Sequence, residues 1–185
     1  MLKADYVKDL MVPLSEYVTV SKEATLAEAV MALKRSCEEY DPTKYRHRAV
    51  LVYDENQNII GKLSMICMLR ALEPKYDEMI SDRRPIHLGF TRQFQKTMLN
   101  QLKLWEAPLE HICKKASSLR VDSFMTTPED GELVEKEATL NEAIHQLVMG
   151  NHQSLLVTEG KKIIGVLRLT DVFTAVSEMI IACGI

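Results

Sequence analysis

The chain has 185 residues and a mass of 21.1 kDa, with 46% hydrophobic and 26% charged residues, which suits one domain or two small ones and excludes a disordered or fibrous protein. A formal charge of −3 and a pI of about 6.0 argue against a nucleic-acid binder. No window holds the roughly 18 to 20 uninterrupted apolar residues of a membrane helix, and the start, MLKADYVKDLMVP, carries acids where a secretory signal is apolar, so the expectation is a soluble, unprocessed chain with no membrane partner.

In chain order, YVTV (17–20) predicts a short strand. Leu26, Ala29, Val30, Leu33 and Cys37 then fall on one helical face, with Thr25 and Glu28 in a capping-box pattern. The apolar runs AVLVY and IIGKL, joined by the turn DENQN, predict a β-hairpin, and a second helix is expected from about Met65 to Leu72. Residues 73–118 follow a different pattern: Pro74, Pro85, Gly89 and SDRRP read as loop. Beyond them Met98, Leu102, Trp105, Leu109 and Ile112 form one helical face from about Gln93 to Ala116, which Pro108 would kink or divide. The first series of elements then recurs. ELVE predicts a strand, Thr139 and Glu142 a capping box, and Leu140, Ala143, Ile144 and Leu147 a helix; SLLVT and IIGVL predict a hairpin, and a last helix runs from Asp171 to about Ile181.

The recurrence is a sequence repeat. VSKEATLAEA (20–29) and VEKEATLNEA (134–143) agree at seven or more of ten positions at an offset of 114, and the hairpins align at offsets of 105 and then 104. The offset changes locate nine extra residues around SCEEYDPTKY and one extra residue in DENQN. Each βαββα repeat is too small to cover its own sheet, so the expected fold is α+β: two pseudo-symmetric repeats packed sheet to sheet, with a helical insertion between them. The expected division is 1–72 for repeat one, 73–118 for the insertion and 119–185 for repeat two. Apolar helical faces are usually core, so the insertion is expected first to pack on its own repeats, then to contact a second subunit, then to dock a protein partner.

Each repeat resembles a CBS domain, and the pair resembles the tandem arrangement called a Bateman module. The resemblance rests on the VKDLM and VDSFM openings, the TL-x-EA helix starts, the HRAVLVYD and HQSLLVT strands and the Gly61 and Gly165 turns. It implies a regulatory, non-enzymatic module, often a homodimer, with clefts for adenosyl ligands such as AMP, ADP, ATP or S-adenosylmethionine. The family's ligand motif is Gly, two apolar residues, Thr or Ser, two variable residues and Asp. Repeat one keeps the hydroxyl at Ser64 but has Cys67 in place of the acid; repeat two keeps Asp171 but has Arg168 in place of the hydroxyl. A thiol cannot replace a carboxylate as acceptor, whereas an Arg fork can pair with phosphate oxygens, so repeat two is expected to hold the better site.

The candidate ligand residues are Asp171, Arg168, Thr170, Ser64, Thr19, His47, Arg48 and His152. Asp171, with Thr170, also reads as an N-cap of the last helix; His47 and His152, at matching strand starts, read first as structural and second as ligand or phosphate contacts. Thr19 has Leu133 as its counterpart. No P-loop, GxSxG, HExxH or metal-spaced Cys/His set is present, so neither catalysis nor a required cofactor or metal is expected. The four cysteines, Cys37, Cys67, Cys113 and Cys183, show no paired spacing, which points to a reduced, cytoplasmic setting. The rival expectation is a ligand-free oligomerisation or protein-interaction module that uses the inserted helices.

Overall fold

A computed structural model describes residues 5–38, 47–76, 91–106 and 109–183. The loop SDRRP with Pro85 and Gly89, Pro108, and most of the nine-residue insertion before the first hairpin lie outside the described residues. Among those described, there are seven strands in two sheets and six α-helices. None of these helices is long and apolar enough to cross a membrane.

Lobe one is built on β2 (Thr19–Ser21), β3 (Ala49–Tyr53) and β4 (Ile59–Ser64), with α1 (Leu26–Glu38) and α2 (Met65–Leu72). Lobe two repeats the plan with β5 (Leu133–Glu135), β6 (Ser154–Glu159), β7 (Lys162–Arg168), α5 (Leu140–Met149) and α6 (Leu169–Ala182). In both lobes the first strand runs parallel to the second, and the hairpin is antiparallel. Both capping boxes form: Thr25 and Thr139 accept the N–H groups of Glu28 and Glu142 at 3.3 Å, while those carboxylates accept the Thr25 and Thr139 N–H groups at 2.7 and 2.8 Å.

The central strands are buried on both sides, which is why their sequences lack polar alternation. Successive side chains point to opposite faces. Val50 and Val52 face the lobe-one helices, and Leu155 and Val157 face those of lobe two. Between them, Leu51, Leu156, Val166 and Tyr17 form the core that joins the sheets.

The openings of the two repeats change places. VKDLM precedes repeat one but packs on lobe two: Val7 is fully buried with Val134, Leu140 and Val172, and its N–H donates to the Ala138 carbonyl at 3.0 Å. β1 (Val12–Pro13) then pairs antiparallel with β7. Reciprocally, Val121 is buried among Val20, Leu26 and Leu63, its N–H donates to the Ala24 carbonyl at 2.9 Å, and Thr126 bridges Lys62 on β4.

This crossing explains the two matched glycines. They lie inside β4 and β7, not in the expected turns, because the crossing segments approach them closely. A Cβ at Gly165 would stand 2.6 Å from the Val12 carbonyl oxygen, and one at Gly61 would stand 2.3 Å from the Met125 sulfur. The hairpin turns instead use Gln57 and Gly160 at positive φ, +63° and +62°.

The insertion departs from the expected continuous stripe. Helix α3 (Arg92–Gln101) is followed by a turn and then α4 (Leu109–Ser118), so the break begins well before Pro108. Lys103 and Trp105 adopt positive φ. Lys75 Nζ donates to the Leu102 and Lys103 carbonyls at 2.7 and 3.3 Å, and the Trp105 N–H donates to the Glu73 carboxylate at 3.0 Å. These ties to the end of α2 turn the chain. Leu104, not Trp105, becomes the buried residue of the turn. Helix α4 packs on α1 and α2, with Ala116 against the lobe-one core, and Lys115 Nζ donates to the Leu72 carbonyl at 2.9 Å. The first of the ranked expectations therefore holds for α4, while α3 has no buried residue.

Val7→Ala is expected to cost about 2 kcal/mol from two lost methyl groups and the cavity they leave. Hydrogen exchange should show the loss of protection in α5 and β7. Loss in α1 and β3 instead would contradict the crossing of this segment to lobe two.

Candidate functional site

Arg168 ends β7 and takes the N-cap position of α6, with no side-chain cap bond. That places Thr170 and Asp171 inside the first turn, which corrects the expectation that they cap the helix. Asp171 therefore faces the positive end of the helix dipole while its carboxylate remains available to a neighbour. That neighbour is Arg168: its Nε donates to Asp171 Oδ2 at 2.5 Å and its Nη2 to Oδ1 at 2.8 Å. The pair is bidentate and largely buried, with the side chains 11% and 17% exposed.

Lobe one supplies the facing groups. Tyr17 and His47 are both buried and meet edge to face, with ring centroids 4.4 Å apart and an interplanar angle of 64°. Both feel the charges of Arg168 and Asp171. Burial pushes the Tyr17 hydroxyl up to about 12, so it stays protonated; Arg168 opposes that rise and Asp171 adds to it. Burial, then the charge of Arg168, holds His47 below its ordinary value, outweighing a backbone hydrogen bond at Glu16 and the nearby carboxylates. The site thus pairs one neutral imidazole and one protonated phenol with a closed ion pair.

The other expected residues are dispersed. Ser64 caps α2 by accepting the Cys67 N–H at 3.2 Å, and the Cys67 thiol donates to the Phe124 carbonyl at 2.9 Å. The half-motif of repeat one is thus engaged in holding α2 and the crossing segment. Thr19 and Arg48 are exposed. Thr170 is half-buried and its carbonyl accepts the Thr174 hydroxyl at 2.9 Å. His152 packs against Gly150 at the end of α5.

Glu132 belongs to a second inter-lobe contact that sequence reading missed. Lys62 Nζ on β4 meets Glu132 Oε1 at 2.5 Å, each side chain 14% exposed. Burial resists ionisation of Glu132, but the Lys62 hydrogen bond and charge hold its carboxyl below the ordinary range. Tyr17 was missed too: its counterpart at an offset of 114 is Gly131, so the repeat gave no matched signal. A separate cleft of about 430 Å3 opens where both hairpin turns meet residues 13–15, lined by Leu14, Asn58, Ile59, Lys162 and Ile163 among others. It lies at the opposite end of β7 from Arg168.

A family model for the CBS domain matches residues 7–74 and 121–178. The chain belongs to the CBS-domain family. Solved CBS structures share its fold along nearly its whole length. CBSX2, described in complex with AMP, is 18% identical with a TM-score of 0.58, covering 95% of this chain and 98% of that one. A CBS domain-containing protein from Bacillus anthracis is 16% identical with a TM-score of 0.61, covering 94% and 93%. The cytosolic domain of the Mg2+ channel MgtE, described in complex with ATP, is 17% identical with a TM-score of 0.56, covering 94% of this chain and 49% of that one. No curated protein matches the sequence.

Because His47 is held below its ordinary 6.5, the unfolded CBS pair takes up this proton at higher pH than the folded one. The stability His47 contributes is complete above the ordinary value and is lost as pH falls through it toward the folded value. The thermal midpoint should drop between about pH 7 and 5 more steeply for the natural protein than for His47→Gln. Parallel profiles would remove His47 as the titrating group.

Proposed function

We propose that this tandem CBS protein is a non-enzymatic regulatory module that senses an adenine nucleotide, or a related adenosyl ligand, where Arg168 and Asp171 of lobe two meet Tyr17 and His47 of lobe one. The observation that carries the reading is the Arg168–Asp171 pair itself. A carboxylate at the helix N-terminus can accept hydrogen bonds from both ribose hydroxyls, and a guanidinium beside it can hold a phosphate. The structural neighbours described with AMP and with ATP support the ligand class. Lobe one, with its thiol and serine already engaged, is the poorer site.

The groups that would touch the ligand come from both lobes, so binding would favour one relative arrangement of them. A ligand acts on such an equilibrium only through different affinity for its states. The working unit in this reading is a cytoplasmic homodimer. The equivalent helices α2 and α6 expose Met65, Ile66 and Leu69, and Phe173 and Ile180. None of the four cysteines is in a disulfide, in keeping with the reducing compartment this reading assumes.

A second reading, a ligand-free interaction module, draws on another feature: α3 exposes Phe94, Leu99 and the adjoining Leu102 and buries nothing. Since α4 is part of the lobe-one core, point changes on α3 test this reading better than deletion of the insertion.

Thermal unfolding with AMP, ADP, ATP and S-adenosylmethionine checks the sensor reading. A ligand at a hundred times its Kd should add about 2.7 kcal/mol, several degrees for a small domain, and Asp171→Asn should abolish the shift. Asn is preferred to Ala because it keeps the volume and one acceptor for the guanidinium, although either change removes the counter-charge of Arg168 at about 3 kcal/mol or more. No shift at millimolar ligand, together with loss of self-association in a Phe94→Asp, Leu99→Asp variant, would favour the interaction module.

A further inference from the structure

We propose that Arg168 is an internal gate on the lobe-two site: it clasps Asp171 when no ligand is bound and yields it only to a ligand that brings a phosphate. The inference rests on the nucleotide reading above and adds a rule of selection to it.

Arg168 uses both oxygens of Asp171, Oδ1 through Nη2 and Oδ2 through Nε. Those are the acceptor positions that a pair of ribose hydroxyls would need. A neutral nucleoside must therefore displace a charged fork from a carboxylate that is only 17% exposed. The fork joins two opposite charges, whereas ribose hydroxyls bring no charge to replace the carboxylate that Arg168 gives up, so the nucleoside loses this competition. A phosphate changes it, because its oxygens offer the guanidinium the same bidentate geometry as the carboxylate. Arg168 can then pass from Asp171 to the phosphate while Asp171 takes the ribose hydroxyls, and every charged group keeps a partner through the exchange.

The neighbouring groups suit this rule. Neither the protonated Tyr17 hydroxyl nor the neutral His47 ring carries charge, so neither competes with the phosphate for Arg168. Lobe one has no such device. Its residues at the Arg168 and Asp171 positions are Ser64, whose hydroxyl caps α2, and Cys67, so it has neither the cation nor the carboxylate of the clasp. The gate belongs to one site per chain.

Calorimetric titration of the full chain with adenosine and with AMP tests the gate, using the natural protein, Arg168→Thr, Arg168→Lys and Asp171→Asn, each first shown to be folded by its thermal transition. AMP should bind the natural protein at least about tenfold tighter than adenosine, a single charged hydrogen bond's worth. Arg168→Thr should gain about tenfold for adenosine and lose the preference for AMP. Arg168→Lys, which keeps the charge without the fork, should retain the preference but gain less for adenosine.

An unchanged adenosine-to-AMP ratio in Arg168→Thr overturns the gate; if Asp171→Asn still abolishes binding, the nucleotide reading survives. Adenosine binding that appears only in Arg168→Thr, with a natural protein silent to AMP as well, overturns both, because Arg168 then closes the site without yielding to a phosphate. No binding by any variant overturns both.

Discussion

The reciprocal crossing of the two opening segments is the constraint on which the rest of the structure depends. Val7 completes the core of lobe two and Val121 that of lobe one, so neither lobe closes without chain from the other repeat. Each crossing segment then lies against a strand whose glycine leaves room for it. The inter-sheet core of Tyr17, Leu51, Leu156 and Val166 adds apolar burial at the same junction. Coupling between lobes is thus built into the packing of each one.

Electrostatics distinguishes the two halves of a pair that is otherwise nearly symmetric. In lobe one, the residues at the motif positions are spent on structure: a serine caps a helix and a thiol holds a carbonyl of the crossing segment. In lobe two, the same positions carry two opposite charges that satisfy each other. A largely buried ion pair of this kind adds little net stability, because desolvation offsets the attraction, yet loss of either partner is costly. The Lys62–Glu132 contact, equally shielded, is a second charged tether between the lobes, with Lys62 at one of the apolar positions of the repeat-one motif.

The insertion is also asymmetric. Helix α4 is absorbed into the wall of lobe one, and Lys115 supplies a cation to the carbonyl end of α2. Lobe two has no equivalent cover among the described residues. Helix α3 stands off the core, so the segment joins a structural half to a half whose apolar side chains face outward.

Sequence alone determined the repeat, the order of elements, both capping boxes, both hairpins and the family, because these depend on local spacing: 3.6-residue and 2-residue periodicity, and turn and cap chemistry within a few residues. It also identified Arg168 as the departure from the family motif in repeat two and Asp171 as the acid that repeat keeps. Only the tertiary structure decided which lobe each opening serves, since Val7 and Val121 are apolar residues that would read the same in either core. It likewise decided that the insertion turns at Lys103 and Trp105, where contacts to Lys75 and Glu73 outweigh a helical stripe. Tyr17 joined His47 at the site without any matched residue in the other repeat to announce it. That Arg168 and Asp171 already hold each other is a matter of side-chain geometry, which a spacing of three residues permits and only packing selects.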